Sequence, residues 1–134
     1  MVSTEAHKES VRVLIQDIEE KLRAEIAVER QKLIGFSCSE ASCDLLVVLL
    51  HKKNLINPGF NINHRFFSSI KTAEVRFNFE FPSKNKLISL LVKQEEYRDI
   101  LCYGKPKRKE PVIKCIENLF EIKRIIEKET GENL

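Results

Sequence analysis

The chain has 134 residues, of which 43% are hydrophobic and 32% charged, and its formal net charge is +3 at pH 7. This size predicts one domain over residues 1–134 that buries a core without help from disulfides or metal ions. The small positive charge permits contact with nucleic acid, but dedicated nucleic-acid-binding proteins are usually more basic. No apolar run reaches the length of a membrane span and no signal-like start is visible. We therefore expect a cytoplasmic protein without a membrane partner.

Two helical patterns come first. From about Thr4 to Leu33 the apolar residues recur at steps of three and four, which predicts one amphipathic helix that stops at Gly35. Residues 37–40, Ser-Cys-Ser-Glu, resemble a capping box and predict the start of a second helix. Beyond Asp44 this second helix is apolar nearly all round, so we expect it to be central.

The third segment carries two conflicting patterns. Residues 63–77 place their apolar side chains at helical steps, whereas residues 75–81 alternate with period two, which is typical of a strand. A lone strand has no partner for its backbone, and no second good strand is visible. We therefore predict a helix followed by a possible short extended segment near 75–81 that ends at Pro82.

Two further helices complete the pattern. One is predicted after Pro82, with Ser83 as its N-cap and Gly104 beyond its end, and another opens at Pro111. Long helices joined by short connections predict an all-α antiparallel bundle of four to five helices. The apolar stripe over residues 112–126 is wider than one groove needs, so we expect a homodimer with this seam and the 98–104 end near its interface.

Arg98 is the leading site candidate because it falls on the apolar side of the fourth helical pattern, where a charge needs a partner. One interpretation is a phosphate or anion site, since a guanidinium grips phosphate oxygens bidentately. In that case the Tyr103 hydroxyl, in the last turn, reaches back toward the arginine. The other interpretation is a structural salt bridge to a carboxylate such as Asp44 on a neighbouring helix, with Asp99 adjacent.

The run Arg98-Asp99, three apolar residues, Tyr103 and Gly104 resembles the motif of the HEPN superfamily (higher eukaryotes and prokaryotes nucleotide-binding domain). That motif is an arginine, usually followed by a polar residue and then by a histidine after a gap of four to six residues. The motif lies near the end of a late bundle helix, as here, and Asp44 in an Ala- and Leu-rich second helix also resembles the family pattern. The resemblance implies a HEPN-like bundle that binds RNA or a nucleotide.

Tyr103 stands where the family has its histidine. Family ribonucleases are thought to use the arginine and the histidine around the scissile phosphate, and neutral tyrosine is a poor base near neutral pH. The resemblance therefore carries Arg98 over as a phosphate-binding residue but does not carry catalysis over. Family members often pair with a nucleotidyltransferase encoded nearby, which implies a possible nucleotidyltransferase partner in a toxin–antitoxin-type pair.

A basic connector follows the motif and is formed by Lys105, Lys107, Arg108 and Lys109. Its charges would bind RNA or nucleotide phosphates in a salt-dependent way, with Tyr103 stacking on a base. The alternative is an ordinary solvated loop. His64 and Arg65 lie in a second polar island, which either lines a site or serves as a helix cap and loop.

The sequence predicts no cofactor and no metal site. Its four cysteines lack the tight paired spacing of zinc ligands, and we expect free thiols. Three functions remain open. The first is a binding module for RNA, a nucleotide or a protein partner without robust catalysis. The second is a metal-independent endoribonuclease using Arg98 and Tyr103 across a dimer cleft, and the third is a structural or adaptor bundle.

Overall fold

The computed structural model describes residues 3–134 and contains helices without any strand in that range. The α-helices α1 to α5 are Thr4–Arg23, Gln31–Lys52, Ile70–Arg76, Lys84–Cys102 and Lys109–Thr130. A 3₁₀ helix, His64–Phe67, lies between α2 and α3. The predicted all-α bundle of four to five helices is confirmed.

The break between α1 and α2 lies earlier than the sequence predicts. The chain leaves the helix after Arg23 and turns through Glu25, whose φ is 58°, and α2 then runs without interruption through Gly35. Gly35 is therefore not a helix stop, and residues 37–40 are mid-helix rather than a capping box. Joined in this way, α2 is long and apolar enough to cross a membrane, yet 78% of its apolar window is buried in the bundle, as in a core helix.

Helix α2 occupies the centre and packs against α1, α4 and α5. Contacts between the end of α4 and the start of α2 show that these two helices are antiparallel. Asn118 on α5 donates to the Leu90 carbonyl on α4 at 2.9 Å, and Ser83 donates to Glu129 at 2.6 Å, so α4 and α5 are also antiparallel. Nine of the ten side chains from residue 41 to 50 are buried, the exception being Asp44, which confirms the predicted central position.

Residues 75–81 do not form a strand. Val75 and Arg76 close α3, and the alternation that follows places Phe77, Phe79 and Phe81 in one aromatic cluster. Phe67 of the 3₁₀ helix stacks on Phe77 with ring centroids 5.5 Å apart. The period-two pattern thus reflects aromatic packing in an irregular turn instead of pairing with a second strand.

The apolar seam of α5 is used inside the chain itself. Its five seam residues are buried, and they are Val112, Cys115, Leu119, Ile122 and Ile126. Since α5 lies against both α2 and α4, a wide stripe is what this position requires. The width of the seam therefore gives no separate reason for a second subunit, and the expected homodimer stays a prediction that concerns the 98–104 end.

Candidate phosphate site at the end of helix α4

Arg98 is buried at the interface between α4 and α2, with 9% of its surface exposed. Its Nη1 donates to Ser39 Oγ at 3.1 Å and to Glu40 Oε2 at 3.0 Å. The Phe36 ring lies under the guanidinium, 5.1 Å from its central carbon to the ring centroid. A cation over an aromatic face is stabilised by the ring quadrupole, so one turn of α2 supplies most of the arginine's surroundings.

The carboxylate partner of Arg98 is Glu40, which corrects the expectation of Asp44. Asp44 lies one turn further along α2 and binds His7 of α1, with Oδ1 and Nδ1 2.7 Å apart. Asp99 is exposed, and its side chain makes no hydrogen bond or ion pair with any residue from 3 to 134. Neither of the two predicted carboxylate partners therefore pairs with Arg98. Asp99 is its neighbour in sequence, and Asp44 lies one turn from Glu40 on α2.

Gly35 brings α2 and α4 together beside this pair. A Cβ atom at position 35 would lie 3.0 Å from Leu101 Cβ and 3.1 Å from Cys102 Sγ. The Cys102 thiol in turn donates to the Lys32 carbonyl at 3.3 Å. Only a residue without a side chain allows this close approach, which fixes how the last turn of α4 sits against α2.

The electrostatic balance at Arg98 favours its charged form. Burial by itself lowers the pKa of the guanidinium, but the hydrogen bond and the charge of Glu40 outweigh burial and raise the pKa overall. The Tyr103 hydroxyl raises the pKa of Arg98 as well, but the side-chain hydrogen bonds of Arg98 within residues 3–134 go to Ser39 and Glu40. Tyr103 is 61% exposed, so its ring faces solvent beside the buried arginine.

The basic connector is tied to the start of α2. The Gln31 side chain donates to the Lys107 carbonyl at 2.9 Å and accepts from the Lys107 amide at 2.6 Å. Lys105, Arg108 and Lys109 are exposed, and Lys109 is the first residue of α5. The connector is thus held at its centre by a buried amide while its other basic side chains reach solvent.

A cleft of about 500 Å³ opens between this connector and α2. Its lining residues include Val28, Arg30, Gln31, Lys32, Leu101 and Lys107. Three of the lining side chains are basic and Glu29 is the acidic one, so the cleft is positive on balance. Its position beside the last turn of α4 places it at the same end of the bundle as Tyr103 and Arg98.

His64 occupies a place in this region that only the structure reveals. Its Nδ1 lies 2.8 and 2.9 Å from the two oxygens of Glu95, which is buried on α4. Asn63 caps the 3₁₀ helix by accepting from the Arg65 amide at 2.8 Å. The polar island therefore provides a helix cap through Asn63, and its His64 contacts the buried Glu95 of α4.

Several charged side chains affect the buried thiol of Cys43. Burial raises the pKa of its thiol, and three nearby carboxylates, those of Glu40, Asp44 and Glu95, raise it further. The positive charge of Arg98 acts in the opposite direction. Glu40 and Asp44 belong to α2, as Cys43 does, and Glu95 and Arg98 belong to α4.

Within residues 3–134, no three His, Cys, Asp or Glu side chains lie close enough together to hold a metal ion. All four cysteines are free thiols. Comparison with protein-family models, curated proteins and solved structures gives no match.

Proposed function

We propose that the protein is a helical module that binds single-stranded RNA at the Arg98 end of the bundle. The observation that carries this proposal is the unused edge of Arg98. Both hydrogen bonds of the guanidinium leave from Nη1, and Nε is buried without a partner among residues 3–134. Nε and Nη2 form one of the two edges that bind phosphate bidentately, and Glu40, whose side chain is 41% exposed, contacts only Nη1.

Aromatic side chains support the same proposal. Of the ten Phe and Tyr residues in the chain, Phe36 and Tyr103 are the two that are exposed, and both lie beside Arg98. Proteins bind single-stranded nucleic acid by stacking its bases on exposed aromatic rings next to cations. Each stacked base contributes about 1–3 kcal/mol of binding free energy. The Phe36 ring contacts the guanidinium yet is 45% exposed, and Tyr103 is 61% exposed, so both rings offer surface on which a base could stack.

The basic connector supplies the remaining charge. Lys105, Lys107, Arg108 and Lys109 follow Tyr103 directly, and Arg30 lines the adjoining cleft. Cations that neutralise phosphates release counterions, so we expect RNA affinity to fall steeply as salt is raised. The Glu40 carboxylate limits the gain in affinity, because a phosphate must share the guanidinium with it.

The resemblance to the HEPN superfamily agrees with this proposal, and a nucleotidyltransferase partner stays an expectation drawn from that resemblance alone. A protein partner at the same surface is the main rival. Leu33 and Phe36 on α2 are exposed apolar side chains at this end. Such a partner would bury these side chains and would not depend on the ribose or on counterion release.

The test is RNA binding by Arg98→Lys, measured by fluorescence anisotropy with a short labelled single-stranded RNA. Lysine keeps the charge but lacks the planar fork, so we expect affinity to fall by about tenfold to a hundredfold, the range for a lost charged hydrogen bond. Arg124→Lys is the matched control, because Arg124 is exposed and paired with Glu121 on α5. A large drop in melting temperature with unchanged RNA affinity would make Arg98 a structural ion pair only.

A further inference from the structure

Helices α1 and α5 form the two walls of a groove. Both pack against α2, yet no Cα atom of α1 lies within 8 Å of a Cα atom of α5. Helices that pack directly have axes about 8–10 Å apart, so α1 and α5 do not pack on each other. At one end of the groove Leu22 and Ile113 line the same cavity, and at the other end Lys8 Nζ lies 2.5 Å from Glu132 Oε1. The groove therefore follows α1, which is about 30 Å long for its 20 residues.

Apolar side chains line the groove along its length. A central cavity of about 590 Å³ is lined in part by Ile15 of α1, Phe120 of α5 and Leu134. A second cavity of about 340 Å³ lies next to it and contains Leu22, which is 36% exposed, and Ile113. Leu134 packs against the core from within the groove, so this space already accepts one aliphatic side chain of the chain itself. An occupant of the open part must bring apolar side chains of its own.

The walls of the central cavity are positive on balance. Arg12, Arg23 and Lys123 line it, against the single carboxylate of Glu19. Arg12 and Lys123 also pair with glutamates on their own helices, whereas Arg23 is exposed and forms no ion pair with any residue from 3 to 134. At the second cavity two glutamates outnumber one lysine, so the charge reverses there. The complementary occupant is therefore acidic over the central cavity only.

We propose that this groove receives an amphipathic helix of a partner protein, with aliphatic side chains against Leu22 and Phe120 and carboxylates over Arg23. Helices dock in grooves through side chains at positions i, i+3, i+4 and i+7. The span from Arg12 to Arg23 is roughly 16 Å at 1.5 Å per residue, so a helix of about three turns fills it. The inference does not depend on RNA binding, because Arg98 lines neither cavity.

A synthetic peptide of about fifteen residues, roughly 22 Å long as a helix, stands in for the partner helix. It carries leucines along one face, glutamates beside them in one half, and glutamines elsewhere. A control peptide has lysine at each glutamate position. We expect the full chain to bind the labelled glutamate peptide with a dissociation constant in the micromolar range, measured by fluorescence anisotropy, and the lysine peptide several-fold more weakly.

Two substitutions on α1 separate the groove from the rest of that helix. Leu22→Asp places a carboxylate under the docked helix, where it has no partner, and should weaken binding by at least about tenfold. Val13→Asp is the matched control, because Val13 is 53% exposed on the same helix but lines neither cavity. It should leave the affinity within a few-fold of the wild type, and circular dichroism checks that both variants are folded.

Reversing one charge tests the electrostatic part of the inference. Arg23→Glu should weaken binding of the glutamate peptide and strengthen binding of the lysine peptide, a reversal that a general loss of folding does not produce. Failure of the folded wild type to bind the glutamate peptide would overturn the inference, as would equal weakening by Leu22→Asp and Val13→Asp. A wild-type dimer in analytical ultracentrifugation that Leu22→Asp converts to a monomer would also overturn it, because the groove would then receive a second copy of the chain.

Discussion

Replacing Gly35 by alanine adds one methyl group at the point where α2 and α4 approach most closely. That methyl would lie 3.0 Å from Leu101 Cβ and 3.1 Å from Cys102 Sγ, both closer than ordinary van der Waals contact. Leu101 Cβ is bonded directly to the α4 backbone and cannot rotate away. Relief therefore requires a shift of one helix against the other by a few tenths of an ångström.

The expected cost follows from two opposing effects. Overpacking of a tight interface costs about 1–3 kcal/mol, while alanine gains about 1 kcal/mol over glycine inside a helix. We therefore expect the free energy of unfolding to fall by about 1 kcal/mol, which is roughly a 3–5 °C lower melting temperature for a chain of this length. Urea unfolding followed by circular dichroism measures the difference directly.

Gly59→Ala is the control for this prediction. No heavy atom lies within 4 Å of a Cβ at position 59, and its φ lies outside the left-handed region. The substitution should be neutral or stabilise the chain by about 0.4–1 kcal/mol through the unfolded state. A Gly35→Ala variant that is as stable as the wild type would refute the argument that this glycine is required for close packing.

Three other predictions concern charges and thiols. Glu40→Gln removes the carboxylate that shares the guanidinium, so RNA should bind several-fold more tightly to a chain that unfolds at lower urea, and weaker binding would contradict competition at Arg98. Burial and neighbouring carboxylates raise the pKa of Cys43, so iodoacetamide should label it, by peptide mass spectrometry, only after unfolding. The hydrogen bond from Lys8 lowers the pKa of Glu132 below its ordinary 4.5, so its contribution to stability is present above that pH and lost as pH falls through the folded value. Glu132→Gln should therefore flatten the acid side of the stability profile, and an unchanged profile would show that the pair adds nothing.

The helices were predictable because their apolar periodicity is local, whereas the position of the first break was not. Glycine is typical of the end of a helix, but contact with α4 explains why Gly35 stands inside one. The real break contains no glycine or proline, and Glu25 adopts the left-handed conformation instead. At Gly35, tertiary packing overrides local propensity.

The site was predictable in part for the same reason. The position of Arg98 on an apolar face follows from its own helix, and its burial agrees with that expectation. Whether Arg98 pairs with Glu40 or with Asp44 depends on the position of α4 along α2, and the pattern of a single helix does not give that position. Glu95 and His64 are 31 residues apart, so their pairing required the path of the connection between α2 and α3.

The 3₁₀ helix that carries His64 is short, and packing between aromatic rings holds it in place. Phe67 in that turn stacks on Phe77, and Phe77 also contacts Phe79 and Phe81. Segments of this kind open more easily than the helices they connect. Loosening of these rings would withdraw the imidazole from Glu95 while Arg98 and Glu40 stayed paired, so hydrogen exchange should protect the amides of this turn less than those of α2 and α4.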